Sequence, residues 1–149
     1  MAGIQYLIDS NVLIRWVQPQ DPGFVAAVTS IEKLELSRDV PCFVSQNLGE
    51  FWNALTRPAV QNGYGLSPED ADGLAKTIES GFRLLPDSLA VHQVWRKLLV
   101  DHRVSGVQVH DARLVAAMRV HNVERILTFN AKDFVRFDGI QAIHPLQLK

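Results

Sequence analysis

Residues 6–16 have the sequence YLIDSNVLIRW, in which an apolar run leads into Asp9-Ser10-Asn11 and then into a second apolar segment. The first run, residues 4–8, is as short and as continuously hydrophobic as a strand buried on both faces. The second segment, residues 12–16, has the character of a helix. A buried strand that leads through a polar turn into a helix is a unit of α/β proteins, so this stretch predicts an α/β fold.

Three further apolar runs resemble the first and are predicted to be buried strands. They lie at residues 42–44, 83–85 and 125–128, and a fifth, weaker candidate lies at residues 140–143. Helical patterns lie between them, at residues 24–36, around residues 48–55, and at residues 68–80, 89–100 and 111–121. Strands that are apolar throughout and alternate with helices predict a three-layer α/β/α sandwich with a central, mostly parallel sheet.

Two of the predicted helices carry clear boundary signals. Ser67 precedes Pro68, so a capping hydroxyl stands before a first-turn proline, and Gly81 is the expected end of that helix. Asn122 is the expected end of the last helix, which we expect to open at Asp111.

Composition sets the class of protein. With 149 residues, 47% hydrophobic and 21% charged, the chain can bury one sizeable core, and residues 1–149 are expected to form a single domain. The sequence has no long uninterrupted apolar stretch and no signal-peptide pattern, so we expect a cytoplasmic protein with no membrane partner. The single cysteine, Cys42, excludes an internal disulfide, and its apolar neighbours predict that it is buried.

Net charge gives no general sign of nucleic-acid binding. The formal net charge is -1, whereas dedicated nucleic-acid binders usually carry a basic excess. Any such contact must then be local, and the positions of individual carboxylates become informative. Ligands of open parallel sheets bind beyond the carboxyl ends of the strands, so polar residues directly after a strand are the first candidates for a site.

Two acids directly follow predicted strands. Asp9 ends the first strand, although Asp9 or Ser10 could equally serve as a helix cap. Asp133 ends the run TFNAKD at residues 128–133, after the fourth strand, where a turn capped by Asn130 is the alternative. Both acids are expected at the same edge of the sheet.

Two more acids are placed there by predicted helices. Asp111 should open a helix at that edge, where an acid also compensates the helix dipole. Glu50 lies opposite the apolar stripe of its helix, on the side that carries Gln46, Asn53 and Arg57. That side could be an ordinary solvated face or one wall of a polar cleft.

The four carboxylates point to a metal when they are considered together. Converging carboxylates repel one another and raise one another's pKa, which is unfavourable unless a cation is present. Hard oxygen ligands without histidine or thiolate favour Mg²⁺ or Mn²⁺. A hydrated cation held in this way suits phosphodiester hydrolysis.

These residues also belong to short sequence motifs that follow one another along the chain. They are LIDSNVLI at residues 7–14, Glu50 on a helix, HDARLVAAM at residues 110–118 and ILTFNAKDF at residues 126–134. In this order and spacing, they resemble the PIN domain of VapC-type toxins, the ribonuclease half of bacterial VapBC toxin–antitoxin pairs. Each motif alone is weak evidence for this family, whereas the full set spans almost the whole chain and is fairly specific evidence for it.

The resemblance implies roles for the acidic residues. It implies that Asp9, Glu50 and Asp111 bind a catalytic Mg²⁺ or Mn²⁺, and that Asp133 is the fourth acid or lies just behind the ligands. Many relatives carry an acid at the position of Asn130. The amide found here leaves open whether Asp133 completes the site and whether one or two metals are held.

The resemblance also implies partners and supporting residues. Asn11 and Thr128 would support the acids. The protein would be an endoribonuclease that leaves a 5′-phosphate and a 3′-hydroxyl, a homodimer, and the partner of a cognate antitoxin that blocks the cleft. Its RNA substrate would be contacted by basic residues near the proposed ligands, for which the candidates are Arg15, Arg57, Arg113 and Lys132. These side chains could instead be ordinary surface charges.

Three other functions would account for some of these sequence features. A signalling receiver domain has a similar fold, but it needs an acid pair after the first strand and an aspartate after a middle strand, where this chain has Ser45. A PIN-fold binding module for RNA or protein, impaired because Asn130 is not acidic, stays open. So does an RNA-processing nuclease outside any toxin–antitoxin pair.

Overall fold

The structure is a computed structural model that describes residues 3–149. Its strands are β1 (Gln5–Ile8), β2 (Val40–Phe43), β3 (Arg83–Leu84), β4 (Arg125–Leu127) and β5 (Gln141–Ile143). Its α-helices are α1 (Ser10–Trp16), α2 (Phe24–Leu36), α3 (Ser45–Thr56), α4 (Pro68–Gly81), α5 (Leu89–Asp101) and α6 (Gln108–Val120). Short 3₁₀ turns occupy Ala59–Gln61, Ala131–Phe134 and Pro145–Gln147.

The strands form one parallel sheet in the order β3-β2-β1-β4-β5. The last residue of β1, Ile8, lies opposite the last residue of β4, Leu127, so the two strands end at the same level. The next residues, Asp9 and Thr128, therefore emerge side by side at the carboxyl edge. The Asp9 N–H donates to the Leu127 carbonyl oxygen at 3.0 Å, which extends the pairing into the site.

Helices cover both faces of the sheet because successive side chains of a strand point to opposite faces. Tyr6 and Ile8 pack with buried side chains of α1, α2, α3 and α4. Leu7, between them, packs with α5, α6 and the turn Ala131–Phe134 on the other face. The predicted three-layer α/β/α sandwich is thereby confirmed, and all five strands of the described residues are parallel.

Two predicted helix boundaries are wrong. Helix α6 begins at Gln108 and not at Asp111. The sequence does not mark this start, because the N-cap residue, Val107, has no polar side chain that could cap the helix. Asp111 lies inside its first turn. Helix α4 includes Gly81, the expected stop, and Phe82 takes the capping position.

Burial of the single cysteine is confirmed. Cys42 is fully buried in β2, and desolvation raises the pKa of its thiol to about 11. It behaves as a small core residue. Among residues 3–149, none of the helices is both long enough and apolar enough to cross a membrane.

Candidate active site

Asp9 is the buried floor of the site. Its residue surface is only 7% exposed, and its Oδ1 accepts the N–H of Ser10 at 2.8 Å, which makes Asp9 the N-cap of α1. The capping explanation considered from the sequence is therefore correct. The cap uses only the Oδ1 atom of the carboxylate, because the Oδ2 atom is bound by other groups.

Asn11 and Thr128 hold that second oxygen. The Thr128 hydroxyl donates to Asp9 Oδ2 at 2.8 Å, and Asn11 Nδ2 lies 3.4 Å from the same oxygen and 3.3 Å from Thr128 Oγ1. Asn11 Oδ1 accepts the N–H of Phe129 at 3.2 Å. These bonds join the turn after β1 to the turn after β4 and fix the direction of the Asp9 carboxylate.

The other three predicted acids reach the same edge from separate segments. Glu50 lies on α3 with its side chain exposed, Asp111 lies partly buried on α6, and Asp133 lies in the turn Ala131–Phe134 after β4. The charge of Asp9 acts on Glu50 and Asp111, and the charge of Asp133 acts on Asp9 and Asp111. The structure therefore brings all four together electrostatically.

Burial and mutual repulsion raise the pKa of three of these carboxyl groups. Desolvation is the largest cause for Asp9, Glu50 and Asp111 alike. For Asp111, the charges of the other three acids add to desolvation and raise the pKa to about 6. The hydrogen bond from Thr128 opposes this trend by lowering the pKa of Asp9. An edge that disfavours its own negative charges favours a bound cation.

Two polar side chains at this edge, those of Ser10 and Gln46, are absent from the predicted site. Ser10 Oγ lies 3.4 Å from Asp9 Oδ1. Gln46 Nε2 donates to Glu50 Oε1 at 3.3 Å and to the backbone carbonyl of His110 at 2.9 Å. The i,i+4 spacing of Gln46 and Glu50 on α3 could have identified the first contact. The contact with α6 depends on tertiary packing and leaves no sequence signal.

The predicted RNA-binding residues lie on different sides of this edge. Arg15 donates to the Asn11 carbonyl at 2.9 Å, pairs with Asp21, and lies over the Phe129 ring. Arg113, on α6, pairs with Asp87 and lies over the Trp95 ring. The guanidinium of Arg57 donates to the Asn62 carbonyl in the loop after α3, and Lys132 is exposed next to Asp133.

Asn130 occupies the N-cap position of the turn Ala131–Phe134, and its carbonyl oxygen accepts the Asp133 N–H at 3.0 Å. It stands before the turn Ala131–Phe134, but its side chain makes no capping hydrogen bond. Its backbone N–H donates to Thr128 Oγ1 at 3.0 Å and so helps to position the threonine that binds Asp9. The alternative of a turn capped by Asn130 is therefore correct for the position and the backbone, although the amide side chain makes no capping hydrogen bond.

Comparison with known proteins identifies the family. The sequence profile of the PIN domain matches residues 6–140, from β1 almost to β5. The chain belongs to the PIN domain family. A comparison with curated protein sequences found no match.

Solved PIN-fold structures resemble this chain along most of its length. A chain of VapBC2 from Rickettsia felis, bound to a promoter DNA fragment, has a TM-score of 0.73 and 13% identity and covers 95% of this chain and 98% of its own. FitAcB from Neisseria gonorrhoeae has a TM-score of 0.68 and 18% identity, covering 96% and 99%. VapC20 from Mycobacterium tuberculosis, a toxin that cleaves the sarcin–ricin loop, has a TM-score of 0.61 and 20% identity, covering 81% and 86%.

PIN nucleases generally use divalent metal ions, and the chemistry of this edge fits such an ion. Its donors are carboxylate oxygens, the ligands that Mg²⁺ and Mn²⁺ prefer. Within residues 3–149, no three acidic, histidine or cysteine side chains are grouped tightly enough to hold a metal directly. A looser ring of carboxylates suits a cation that dehydrates reluctantly and keeps several of its waters, as Mg²⁺ does.

Proposed function

We propose that this PIN domain protein is an Mg²⁺- or Mn²⁺-dependent endoribonuclease and the toxin of a VapBC-type toxin–antitoxin pair. The observation that carries the proposal is the convergence of four carboxylates at the carboxyl edge of the sheet, where desolvation and neighbouring charges raise the pKa of Asp111 to about 6. The likeness of the fold to VapC20, itself a toxin that cleaves an RNA loop, supports the same function.

In this proposal, some residues of the chain bind the metal ion and others orient its ligands. Asp9, Glu50 and Asp111 hold the cation, with Asp133 as the fourth acid. Thr128, bonded to Asp9 at 2.8 Å, keeps that carboxylate oriented together with Asn11. When bound, the metal ion lowers the pKa of the attacking water and stabilises the charge on the phosphate and on the leaving oxygen.

Phosphate binding is assigned to the basic residues around the edge. Arg15 lies on α1 and bonds the Asn11 carbonyl, Arg113 lies on α6 at the other face of the sheet, and Lys132 adjoins Asp133. The guanidinium of Arg57 is bonded to the Asn62 carbonyl, as that of Arg15 is to the Asn11 carbonyl, so both would have to exchange a protein partner for a phosphate. Phosphate contacts of this kind position RNA without reading its sequence.

The proposed partners follow from the same comparison. VapBC2 and the toxin–antitoxin complex from Klebsiella pneumoniae are both assemblies with an antitoxin, and each has a chain of this fold. We assign to this chain a cognate antitoxin that covers the acidic edge, and a homodimeric state. An RNA-processing role without an antitoxin would use the same chemistry.

Two features favour a second candidate function. Asn130 is an amide at a position where the resemblance to VapC-type toxins leads us to expect an acid, and no three potential ligands of the described residues form a tight group. A PIN-fold module that binds RNA or protein without cutting it is consistent with both facts. A test for RNA cleavage distinguishes the ribonuclease from the binding module.

The deciding experiment is cleavage of a mixed RNA pool by the purified protein, free of antitoxin. We expect cutting with Mg²⁺ or Mn²⁺ and none with EDTA, and the cut ends should carry a 5′-phosphate. Heat-inactivated protein is the control for contaminating nuclease. A folded protein that leaves the pool intact with either metal would favour the binding module.

The hydrogen bond from Thr128 gives a finer prediction. Thr128→Val keeps the shape of this fully buried residue but removes the hydroxyl that donates to Asp9 Oδ2. Loss of a partner that orients a metal ligand typically costs about 10–100-fold in metal affinity or activity, and we expect that loss in cleavage at limiting Mg²⁺.

Thr77→Val is the matched control, because Thr77 is exposed on α4 and bonds only the Gly73 carbonyl of its own helix. It should cleave like the wild type. Equal activity of the two variants across a metal titration would mean that Thr128 does not orient a ligand.

A further inference from the structure

A cavity adjoins the acidic edge, beyond the ends of β2 and β3. Its volume is about 380 Å³, and its apolar wall is formed by the buried side chains of Val44, Leu85, Val91 and Ala117. This size falls within the range of about 300–1,000 Å³ that small-molecule sites occupy. None of these four residues has a part in the proposed metal site.

The cavity and the acids share one wall. Gln46 and His110 line the cavity, and Gln46 Nε2 bonds both Glu50 Oε1 at 3.3 Å and the His110 carbonyl at 2.9 Å. Both partners of that nitrogen are acceptors, so the orientation of the Gln46 amide is fixed. A group that fills the cavity therefore contacts the side chain that is hydrogen-bonded to the Glu50 carboxylate.

The mouth of the cavity carries a guanidinium that is held in place. Arg113 pairs with Asp87, its carbon Cζ lies 5.3 Å from the centroid of the Trp95 ring, and its side chain is 32% exposed. Both Arg113 and Asp87 line the cavity. A guanidinium held beside an apolar cavity is a fixed hydrogen-bond donor, and proteins read the edges of unpaired RNA bases with such donors.

We propose that this cavity is a nucleobase pocket, which takes one unstacked base of single-stranded RNA while the adjoining phosphodiester lies at the acidic edge. The inference rests on the proposed ribonuclease function and names how its substrate is selected. The apolar wall contacts the faces of the ring, and the polar groups at the mouth meet its edge. The enzyme then prefers certain bases next to the bond that it cuts.

Binding can be tested without cleavage. The full chain in EDTA is titrated with four hexaribonucleotides, of adenine, cytosine, guanine or uracil only, while methyl NMR signals are recorded. We expect the signals of Val91 and Ala117 to shift, and to shift more for one or two of the bases. Val123 and Ile140 line a separate cavity of about 200 Å³ at the opposite edge of the sheet, where β4 and β5 begin, and serve as internal controls.

The pocket is excluded if the signals of Val91 and Ala117 stay in place at RNA concentrations that saturate the protein. It is equally excluded if they shift no more than those of Val123 and Ile140. Shifts of the same size for all four hexaribonucleotides would also overturn it, because they would mean that the RNA backbone alone is bound.

Closing the mouth gives a second test. Ser45 is the exposed first residue of α3 and lines the cavity, so Ser45→Phe should cover the entrance without entering the core. We expect it to weaken binding of the preferred hexaribonucleotide about tenfold or more, since stacking of a base contributes on that order. Ser80→Phe, at an exposed position of α4, is the matched control.

The two proposals fail in different ways. If RNA is cut in an EDTA-sensitive manner but Ser45→Phe leaves the base preference at the cut site unchanged, the pocket is wrong and the nuclease stands. If no RNA is cut but the signals of Val91 and Ala117 respond selectively, the nuclease is wrong and the protein binds a base without cleaving.

Discussion

Asp9→Asn should reduce RNA cleavage by at least about a hundredfold while the protein stays folded. Asparagine keeps the size of the side chain and an acceptor for the Ser10 N–H, so the cap of α1 survives. What is lost is the negative charge of the most buried acid of the site. Removing a partner of a ligand costs about 10–100-fold, and loss of the ligand itself should cost more.

The measurement is single-turnover cleavage of the RNA pool at saturating Mg²⁺ or Mn²⁺. Asp138→Asn is the matched control, because Asp138 is exposed beyond the turn Ala131–Phe134 and has no part in the proposed site. Circular dichroism verifies the fold of both variants. Activity of Asp9→Asn within tenfold of the wild type would remove Asp9 from the ligand set and, with it, the central feature of the proposed site.

Elements with a local hydrophobic pattern could be predicted from the sequence. Helix α2 has the predicted bounds, residues 24–36, because its apolar side chains repeat with helical spacing over the full length. The start of β2 could not be predicted. It extends back to Val40 and contains Pro41, and a proline argues against a strand because it lacks the N–H that a ladder uses. Pairing with β1 overrides that preference here.

The position of the site was predictable for a topological reason. Asp9 and Thr128 follow strands that end at the same level, and parallel strands bring such residues to one edge whatever the details of packing. The cap does not exclude the proposed ligand role of Asp9, because one carboxylate oxygen serves the cap and the other accepts from Thr128.

The surroundings of Glu50 could not be predicted in the same way. Helical periodicity placed Glu50 opposite the core stripe of α3, but the pattern is the same for a solvated face and for the wall of a cleft. Which of the two applies depends on the position of α6 relative to α3. The hydrogen bond from Gln46 to the His110 carbonyl shows that α6 lies beside this face. Nothing local in either segment specifies it. The cavity beside the acids was invisible in the sequence for the same reason.

Asp111→Asn should stabilise the metal-free protein near neutral pH. The pKa of Asp111 is raised from 3.8 to about 6 by desolvation and by the charges of Asp9, Asp133 and Glu50. Its charged form is therefore disfavoured in the folded state. Since one pKa unit corresponds to about 1.4 kcal/mol, removing the charge should raise the free energy of unfolding by about 1–3 kcal/mol.

The pH dependence of this effect has a definite sign. Between about pH 4 and the folded pKa of about 6, the folded protein binds more protons at Asp111 than the unfolded chain does. The metal-free wild type should therefore lose stability as the pH rises through this window, and Asp111→Asn should lose less. The two proteins should converge near pH 4, where Asp111 is protonated in the folded protein.

Urea unfolding followed by tryptophan fluorescence, in EDTA at about pH 4 and near neutral pH, measures the difference. Asp138→Asn again serves as the control and should follow the wild type. Added Mg²⁺ should then stabilise the wild type more than Asp111→Asn, because a ligand that binds only the folded state raises the free energy of unfolding by RT ln(1 + [L]/Kd), which is larger for the tighter site. If Asp111→Asn is less stable than the wild type in EDTA near neutral pH, the acids do not repel one another enough to require a cation. A metal response equal to that of the wild type would place the ion elsewhere.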